Sequence, residues 1–159
     1  MRSKLGIAIP LAVLIVALGV FVTPSARGQT VLHLVVDTGG RLAVVDLHRD
    51  GLRLGDRIAA RGPVVDETQT ERLGIAYVQC LVHRRIVDPD QGLWNCNYVL
   101  ELADGEVILQ GLDPRGPGVY EMSVLGGTGA YAGASGDATF TDVVTETDMY
   151  TDMVIRLGR

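Results

Sequence analysis

Residues 124–140 read VLGGTGAYAGASGDATF, and five glycines punctuate them: Gly126, Gly127, Gly129, Gly133 and Gly136. Within this run, Gly127-Thr128-Gly129-Ala130-Tyr131-Ala132 fits G-x-G-x-x-G/A. In a nucleotide-binding protein that spacing lets backbone amides at a helix N-terminus hold a pyrophosphate. The chemistry needs a strand before the glycines and a helix after them. The strand is present as VYEMSVL at 119–125. The helix is not, because Gly133 and Gly136 lead into TFTDVV, a strand composition. The glycines therefore read as a tight β-connection that needs positive φ and close backbone approach, with Tyr131 as its plug.

The two cysteines, Cys80 and Cys96, lie on either side of the turn DPDQG. Folding residues 73–102 as a hairpin about Asp88 sets Val82 opposite Trp94, Cys80 opposite Cys96 and Val78 opposite Tyr98, all on one face. Directly opposed positions bring Cβ atoms within about 4.5–5.5 Å, close to disulfide reach. A Cys80–Cys96 bond is expected, and two buried thiols are the other reading. Leu100 and Leu102 share the face, which marks it as the core side. The opposite face mixes Gln79, His83, Asn95, Asn97 and Glu101 with Ile75, Tyr77 and Leu81, so a covering segment or an oligomer contact is expected over part of it.

The remaining reactive types do not converge in sequence. His33, His48 and His83 have no metal-ligand spacing. Ser123 and Ser135 are the only serines beyond Ser25, and GASGD lacks the form of a nucleophile elbow. DPDQG opens like a calcium loop but lacks the distal Glu. Asp66 and Glu67 read as a surface turn more readily than as a carboxylate pair, and Arg84-Arg85 as solvated or paired with Asp88 or Asp90. No metal, no cofactor and no catalytic residue is assigned. The ligand contacts expected are the apolar and aromatic side chains of the inward face, Val78, Trp94, Tyr98, Tyr120 and Met122. The alternative is that they simply fill the interior.

The elements that must position these residues are strands. Beyond residue 28 no helical period survives. Short β-branched runs at 30–37, 41–47, 55–65, 73–87, 93–102, 107–112, 119–125, 136–144 and 148–157 are separated by Gly, Pro and Asp turns. The pattern predicts one all-β sandwich or barrel. Ahead of it, Arg2 and Lys4 precede an apolar run over 5–22 and the small, polar TPSARGQT. That is the layout of a signal peptide cleaved after Gly28. The run also reaches the roughly 18 residues that span a bilayer, so an uncleaved membrane anchor is the other reading. The domains are thus residues 1–28 as signal or anchor and 29–159 as barrel, secreted or otherwise extracytoplasmic. Of 14 basic residues, removal of 1–28 takes Arg2, Lys4 and Arg27 and no acid, which leaves 11 against 19 acidic residues, about −8. Such a charge opposes a nucleic-acid partner and an anionic membrane surface.

The glycine segment and the order of the other pieces resemble the allene oxide cyclase and dirigent barrels. Those families carry G-G-[ST]-G-x-[FY]-x-G-x-x-G, met here by Gly126, Gly127, Thr128, Gly129, Tyr131, Gly133 and Gly136. LGD at 54–56 followed by a strand ending in VVDE, LGIAYVQC at 73–80, GEVILQGL at 105–112 and TDMVIRL at 151–157 fall in the family's order, over residues 54–157. The resemblance implies an eight-stranded, calycin-like antiparallel barrel with an apolar cavity, often trimeric. It implies stereoselective cyclisation or coupling of a hydrophobic small molecule held by shape. A non-catalytic ligand-binding or structural envelope module is the alternative. Where the cyclases hold a water with Asn, this chain has Gly62. Their pocket cysteine matches Cys80, whose thiol a disulfide would remove. Where dirigent proteins have Arg beside the last glycine, this chain has Ser135.

Overall fold

The computed structural model describes residues 29–37, 42–47, 52–84, 92–114, 116–146 and 148–158. The expected signal or anchor segment, residues 1–28, and most of the turn at 88–92 lie outside them, as does His48. Among the described residues, alternating apolar and polar side chains produce nine strands: β1 (Thr30–Asp37), β2 (Leu42–Val45), β3 (Arg57–Asp66), β4 (Arg72–Arg84), β5 (Leu93–Leu102), β6 (Gly105–Asp113), β7 (Gly118–Gly127), β8 (Ser135–Val144) and β9 (Met149–Gly158). Among the described residues there is no α-helix, and no helix is long and apolar enough to cross a membrane.

Every pairing is antiparallel between sequence neighbours from β2 to β9, and β1 pairs with β9 along its full length. The ring closes where Leu34, Val35 and Val36 of β1 pair with Asp66, Val65 and Val64 of β3. Eight strands, β1 and β3–β9, thus form a closed barrel. β2 lies alongside the other end of β3, from Val45 opposite Arg57 to Leu42 opposite Ala60. Closure removes the free edges that an open sheet would present.

The hairpin register expected from the sequence is the one observed. Val82, Cys80 and Val78 pair with Trp94, Cys96 and Tyr98. Cys80 and Cys96 are joined in a disulfide, with Cα atoms 4.0 Å apart, at the short spacing of a non-hydrogen-bonded pair. The inward face is one continuous core that includes Leu34, Val36, Ile58, Val64, Ala76, Leu100, Val107, Leu109, Phe140, Met153 and Ile155. The outer face of this hairpin stays partly open. Tyr77 and Leu81 are exposed, the Arg61 guanidinium lies 5.4 Å from the Tyr77 ring centroid, and the Tyr77 hydroxyl donates to Glu101 at 3.3 Å.

The two ends of the barrel differ. At one end the glycine segment makes a three-residue 3-10 turn, Gly129–Tyr131, between β7 and β8. It lies against the β5–β6 turn: the Ala130 amide donates to the Asp104 carbonyl at 2.8 Å, and the Thr128 amide to that of Glu106 at 3.0 Å. A Cβ on Gly127 would fall on the Glu106 carbonyl oxygen and one on Gly105 on that of Thr128. Tyr131 packs against the core from this side. At the other end, buried Asp56 of the LGD motif accepts the amides of Leu47 at 2.9 Å and Arg53 at 2.6 Å. The Val82 amide donates to its carbonyl at 2.9 Å. One carboxylate thereby fixes how the chain enters β3.

Candidate functional site at the polar end of the barrel

Side chains that alternate inward on five neighbouring strands meet at the end opposite the glycine connection. The register brings Trp94 of β5 beside Asp113 of β6, Tyr120 of β7 beside Phe140 of β8, and Gly118 beside Asp142. Asp142 in turn faces Thr151 of β9. Asp113 and Thr151 are buried and Asp142 is half-buried. The opposite half of the interior, around Leu100, Val107, Val64 and Ile155, is aliphatic, with Tyr131 packed against it at the glycine end. Among the described residues, the inward-facing carboxylates therefore gather at one end of an apolar tube.

The groups are linked. The Thr151 hydroxyl donates to Asp142 Oδ1 at 2.8 Å, and the Tyr120 hydroxyl reaches the same oxygen at 3.4 Å. The Tyr98 and Tyr120 phenols lie near enough for each to influence the other's ionisation. Both rings pack on Phe140, Tyr98 edge-on with centroids 5.0 Å apart and Tyr120 tilted at 5.5 Å. Such contacts fix where the hydroxyls point.

Burial pushes the Tyr98 phenol far above its ordinary value. The Asp113 charge adds to this, the Tyr120 hydroxyl beside it pulls back, and Asp142 adds a little more. Burial likewise pushes Tyr120 up, reinforced by Tyr98, Asp113 and Asp142. Both phenols are accordingly neutral donors at any physiological pH. The arrangement can donate a hydrogen bond from a neutral phenol to an oxygen of a bound molecule, and the Asp142 carboxylate can accept a proton that such a molecule gives up. That is the geometry of hydrogen-bond orientation with a carboxylate base at hand, in a largely apolar surrounding.

Asp113 lies beside the disulfide, with Cys96 Sγ 3.9 Å from its Oδ2. This is a contact and not a hydrogen bond, because a disulfide sulfur carries no proton. The ligand atoms of Cys80, Cys96 and Asp113 lie within 4.8 Å of one another, but with the sulfurs bonded to each other neither is a thiolate that could hold a metal.

All five residues expected to contact ligand, Val78, Trp94, Tyr98, Tyr120 and Met122, are buried and face the interior. Tyr120 joins the polar chain directly, Tyr98 lies beside it, and Trp94 stands opposite Asp113. Val78 and Met122 belong to the apolar wall. Sequence reasoning missed Asp113, Asp142 and Thr151. The signal was available in parity: 107, 109, 111 and 113 alternate inward on β6, and 138, 140 and 142 on β8. Asp66 and Glu67 indeed form a turn. Asp66 accepts the amides of Glu71 at 2.7 Å and Thr70 at 2.8 Å, and the Thr68 hydroxyl. His33 lies on the outer face, between Glu67 at 2.7 Å and Asp152 at 2.8 Å.

Comparison with solved structures places this architecture. The fold is that of the dirigent and cyclase barrels. A pterocarpan synthase dirigent protein superposes with a TM-score of 0.65 at 17% identity, over 82% of this chain and 84% of that one. An exo-specific intermolecular Diels-Alderase gives 0.62 at 16% identity, over 84% and 99%. A pyocyanin demethylase gives 0.65 at 24% identity, over 79% and 99%. No family profile and no curated protein matches the chain. At these identities the likeness concerns the fold, and the chemistry must come from this chain's own residues.

Proposed function

We propose that this chain is an exported barrel that takes an apolar, conjugated small molecule into its polar end and guides its cyclisation or coupling. One observation carries the reading: a Tyr120–Asp142–Thr151 hydrogen-bond chain, with the Tyr98 phenol beside it, inside an otherwise apolar barrel. A folding scaffold gains little from half-burying a carboxylate among aromatic rings, since the desolvation cost offsets the bonds. A site that must orient a substrate and move one proton gains a good deal. Solved barrels of the same fold carry names that describe cycloaddition and pterocarpan synthesis, which supports a cyclisation-guiding role here. Export is supported by the basic start, the apolar run over 5–22 and the disulfide. The narrower reaction of an allene oxide cyclase fits less well, because Gly62 and the bonded Cys80 stand where its Asn and cysteine would be.

Native mass spectrometry of the protein purified from its host tests this, and also reads its oligomeric state. The expected result is a co-purified small molecule that is lost or weakened in Tyr120→Phe and Asp142→Asn. Conversion of that molecule by wild type and not by Tyr120→Phe establishes catalysis; equal binding without conversion in both makes the barrel a carrier. A ligand-free protein that also takes up no apolar aromatic probe overturns the reading.

A further inference from the structure

We infer that β2 is a docking edge for a second copy of this chain, joined strand to strand about a two-fold axis at Ala43. β1 and β2 run end to end along one side of β3: both pair with it antiparallel, β1 at Asp66 to Val64 and β2 at Ala60 to Arg57. The other side of β1 carries β9, which begins at Met149, and Asp37 at the end of β1 already stands opposite Tyr150. β9 therefore stops where β1 does, and β2 extends past it. Among the described residues no strand pairs with the far side of β2, and β2 is the one described strand with a single partner. Natural sheets blunt such an edge with charge or proline. Leu42-Ala43-Val44-Val45 has neither, and all four residues are exposed, Leu42 at 58% and Val44 at 49%.

The register fixes which backbone groups point outward. Cys80 and Cys96, with Cα atoms 4.0 Å apart, are a non-hydrogen-bonded pair, so the Cys80 amide and carbonyl turn away from β5 and towards β3. Val82, two residues on, does the same, and its amide donates to the Asp56 carbonyl at 2.9 Å. Ile58, opposite Cys80, turns its own groups to β4. Val44, opposite Ile58, accordingly turns its groups away from β3. By the same alternation Ala43 and Val45 bond to β3, while the amides and carbonyls of Leu42 and Val44 face the open edge. Groups aligned in this way select an extended strand. Every other described strand has partners on both sides, so the strand that a neighbouring copy can offer is its own β2. Setting Leu42 against Val44 of the second copy, and Val44 against Leu42 of the second copy, satisfies all of these groups. It puts Ala43, the smallest side chain of the strand, at the close approach on the axis. The strand carries no charge, so two acidic chains, each formally −5, oppose no like charges there. Exposed Leu47 and Leu54 adjoin it and widen the apolar contact, because the buried Asp56 carboxylate holds the Leu47 and Arg53 amides together. Such a contact is self-complementary and closes at two copies, unlike the trimer that the family resemblance implies.

Sedimentation velocity of the protein purified from its host, over roughly 1–100 µM, should show a reversible monomer–dimer equilibrium. Val44→Pro removes an amide that faces the open edge and no bond to β3. It should keep the circular dichroism of wild type and weaken dimerisation at least about tenfold. Leu125→Lys alters a similarly exposed leucine on β7 and should leave the dimer as it is. Ala43→Cys reads the register directly. The chain's two cysteines are already bonded to each other, so mild oxidation with copper–phenanthroline should join the new thiols of two copies across the axis, while Leu125→Cys should stay unlinked. A monomer throughout that range, an oligomer unchanged by Val44→Pro, or Ala43→Cys linking no faster than Leu125→Cys overturns the inference. Each of these outcomes leaves the small-molecule reading of the interior where it was.

Discussion

At the glycine-packed end, backbone meets backbone at distances that a single Cβ would forbid. At the opposite end, Asp113, Asp142, Thr151, Tyr98 and Tyr120 meet through side chains delivered by five strands. The first end is held mainly by backbone, with Tyr131 packed against the core, and its glycines answer to space and φ. The second uses ordinary strand backbone, and its content is chemical. A carboxylate or phenol can be exchanged there without disturbing the ladder, whereas the closed end has no such tolerance. This is the division expected when a rigid scaffold carries a replaceable site.

Glycine substitution separates the ends most sharply. Gly136 has φ +149, and a Cβ on it would fall on the Arg156 carbonyl oxygen of the paired strand. Gly136→Ala should cost about 3 kcal/mol or more, through backbone displacement in a packed ladder. Gly118 begins β7 beside Asp142, and a methyl placed on it would meet nothing within 4 Å, with no unusual φ to oppose it. Gly118→Ala should stay within about 0.5 kcal/mol of wild type. Urea unfolding of the two variants measures the contrast, and similar losses at both sites would erase it.

The next effect belongs to the wall between the ends. The disulfide closes a loop with a sequence separation of 16, so the Cys80→Ala/Cys96→Ala double variant should lose about 3 kcal/mol relative to the oxidised protein. Intact mass before and after reduction and alkylation should register one bond. A midpoint unchanged by reductant would show that barrel closure, and not the crosslink, limits unfolding.

At the polar end, Thr151→Val keeps shape and removes the donor held 2.8 Å from Asp142. The expected loss is about 1–2 kcal/mol, the cost of leaving a partly buried acceptor without that bond. The variant should fold, and its ligand affinity should fall more than its stability does. A variant that unfolds outright would mean that the polar chain is part of the scaffold, and the contrast between the ends would weaken.

How much of this could be read in the chain follows from the same contrast. The closed end is local. Gly126 to Gly136 lie within one stretch, the strand composition after Ala132 excludes a helix, and the β-connection follows from turn chemistry alone. The Cys80–Cys96 pairing was legible because a single hairpin relates them and parity decides the face. Asp113 and Asp142 were not, because each lies near the end of a strand where a turn begins, and an Asp there is most often a turn residue. What makes them a site is Tyr120 on a third strand, at a registration that only closure of the barrel decides. The closure itself, β1 against β3 over three pairs, was equally hidden. It joins strands that are not neighbours in sequence and has no pattern beyond alternation.

That short seam yields the smallest effect, and one in which pH reads the two ends separately. On the outer surface of β1, His33 holds Glu67 of the β3–β4 turn by one nitrogen and Asp152 of β9 by the other, so one imidazole ties both neighbours of the closing strand. Partial desolvation pulls its pKa down, but the bonds and charges of Asp152 and then Glu67 outweigh this, and the net shift is upward from 6.5. The stability it adds is therefore fully present below pH 6.5 and lost as pH rises through the higher folded value. Asp66, in the same turn, has the opposite sign. The Glu71 amide, the Thr68 hydroxyl and the Thr70 and Thr68 amides hold it down at about 2, so its contribution is present above the ordinary 3.8 and lost as pH falls towards 2. Between those limits the seam is at its tightest. NMR titration should find His33 above 6.5 and Asp66 near 2, with the His33 shift shrinking in salt because the pairs are exposed. His33→Gln should flatten the alkaline limb of the stability profile and leave Tyr98 and Tyr120 un-ionised as before. A His33 that titrates at or below 6.5 would mean that its two carboxylates are not held in solution, and that β1 is kept in place by its ladder alone.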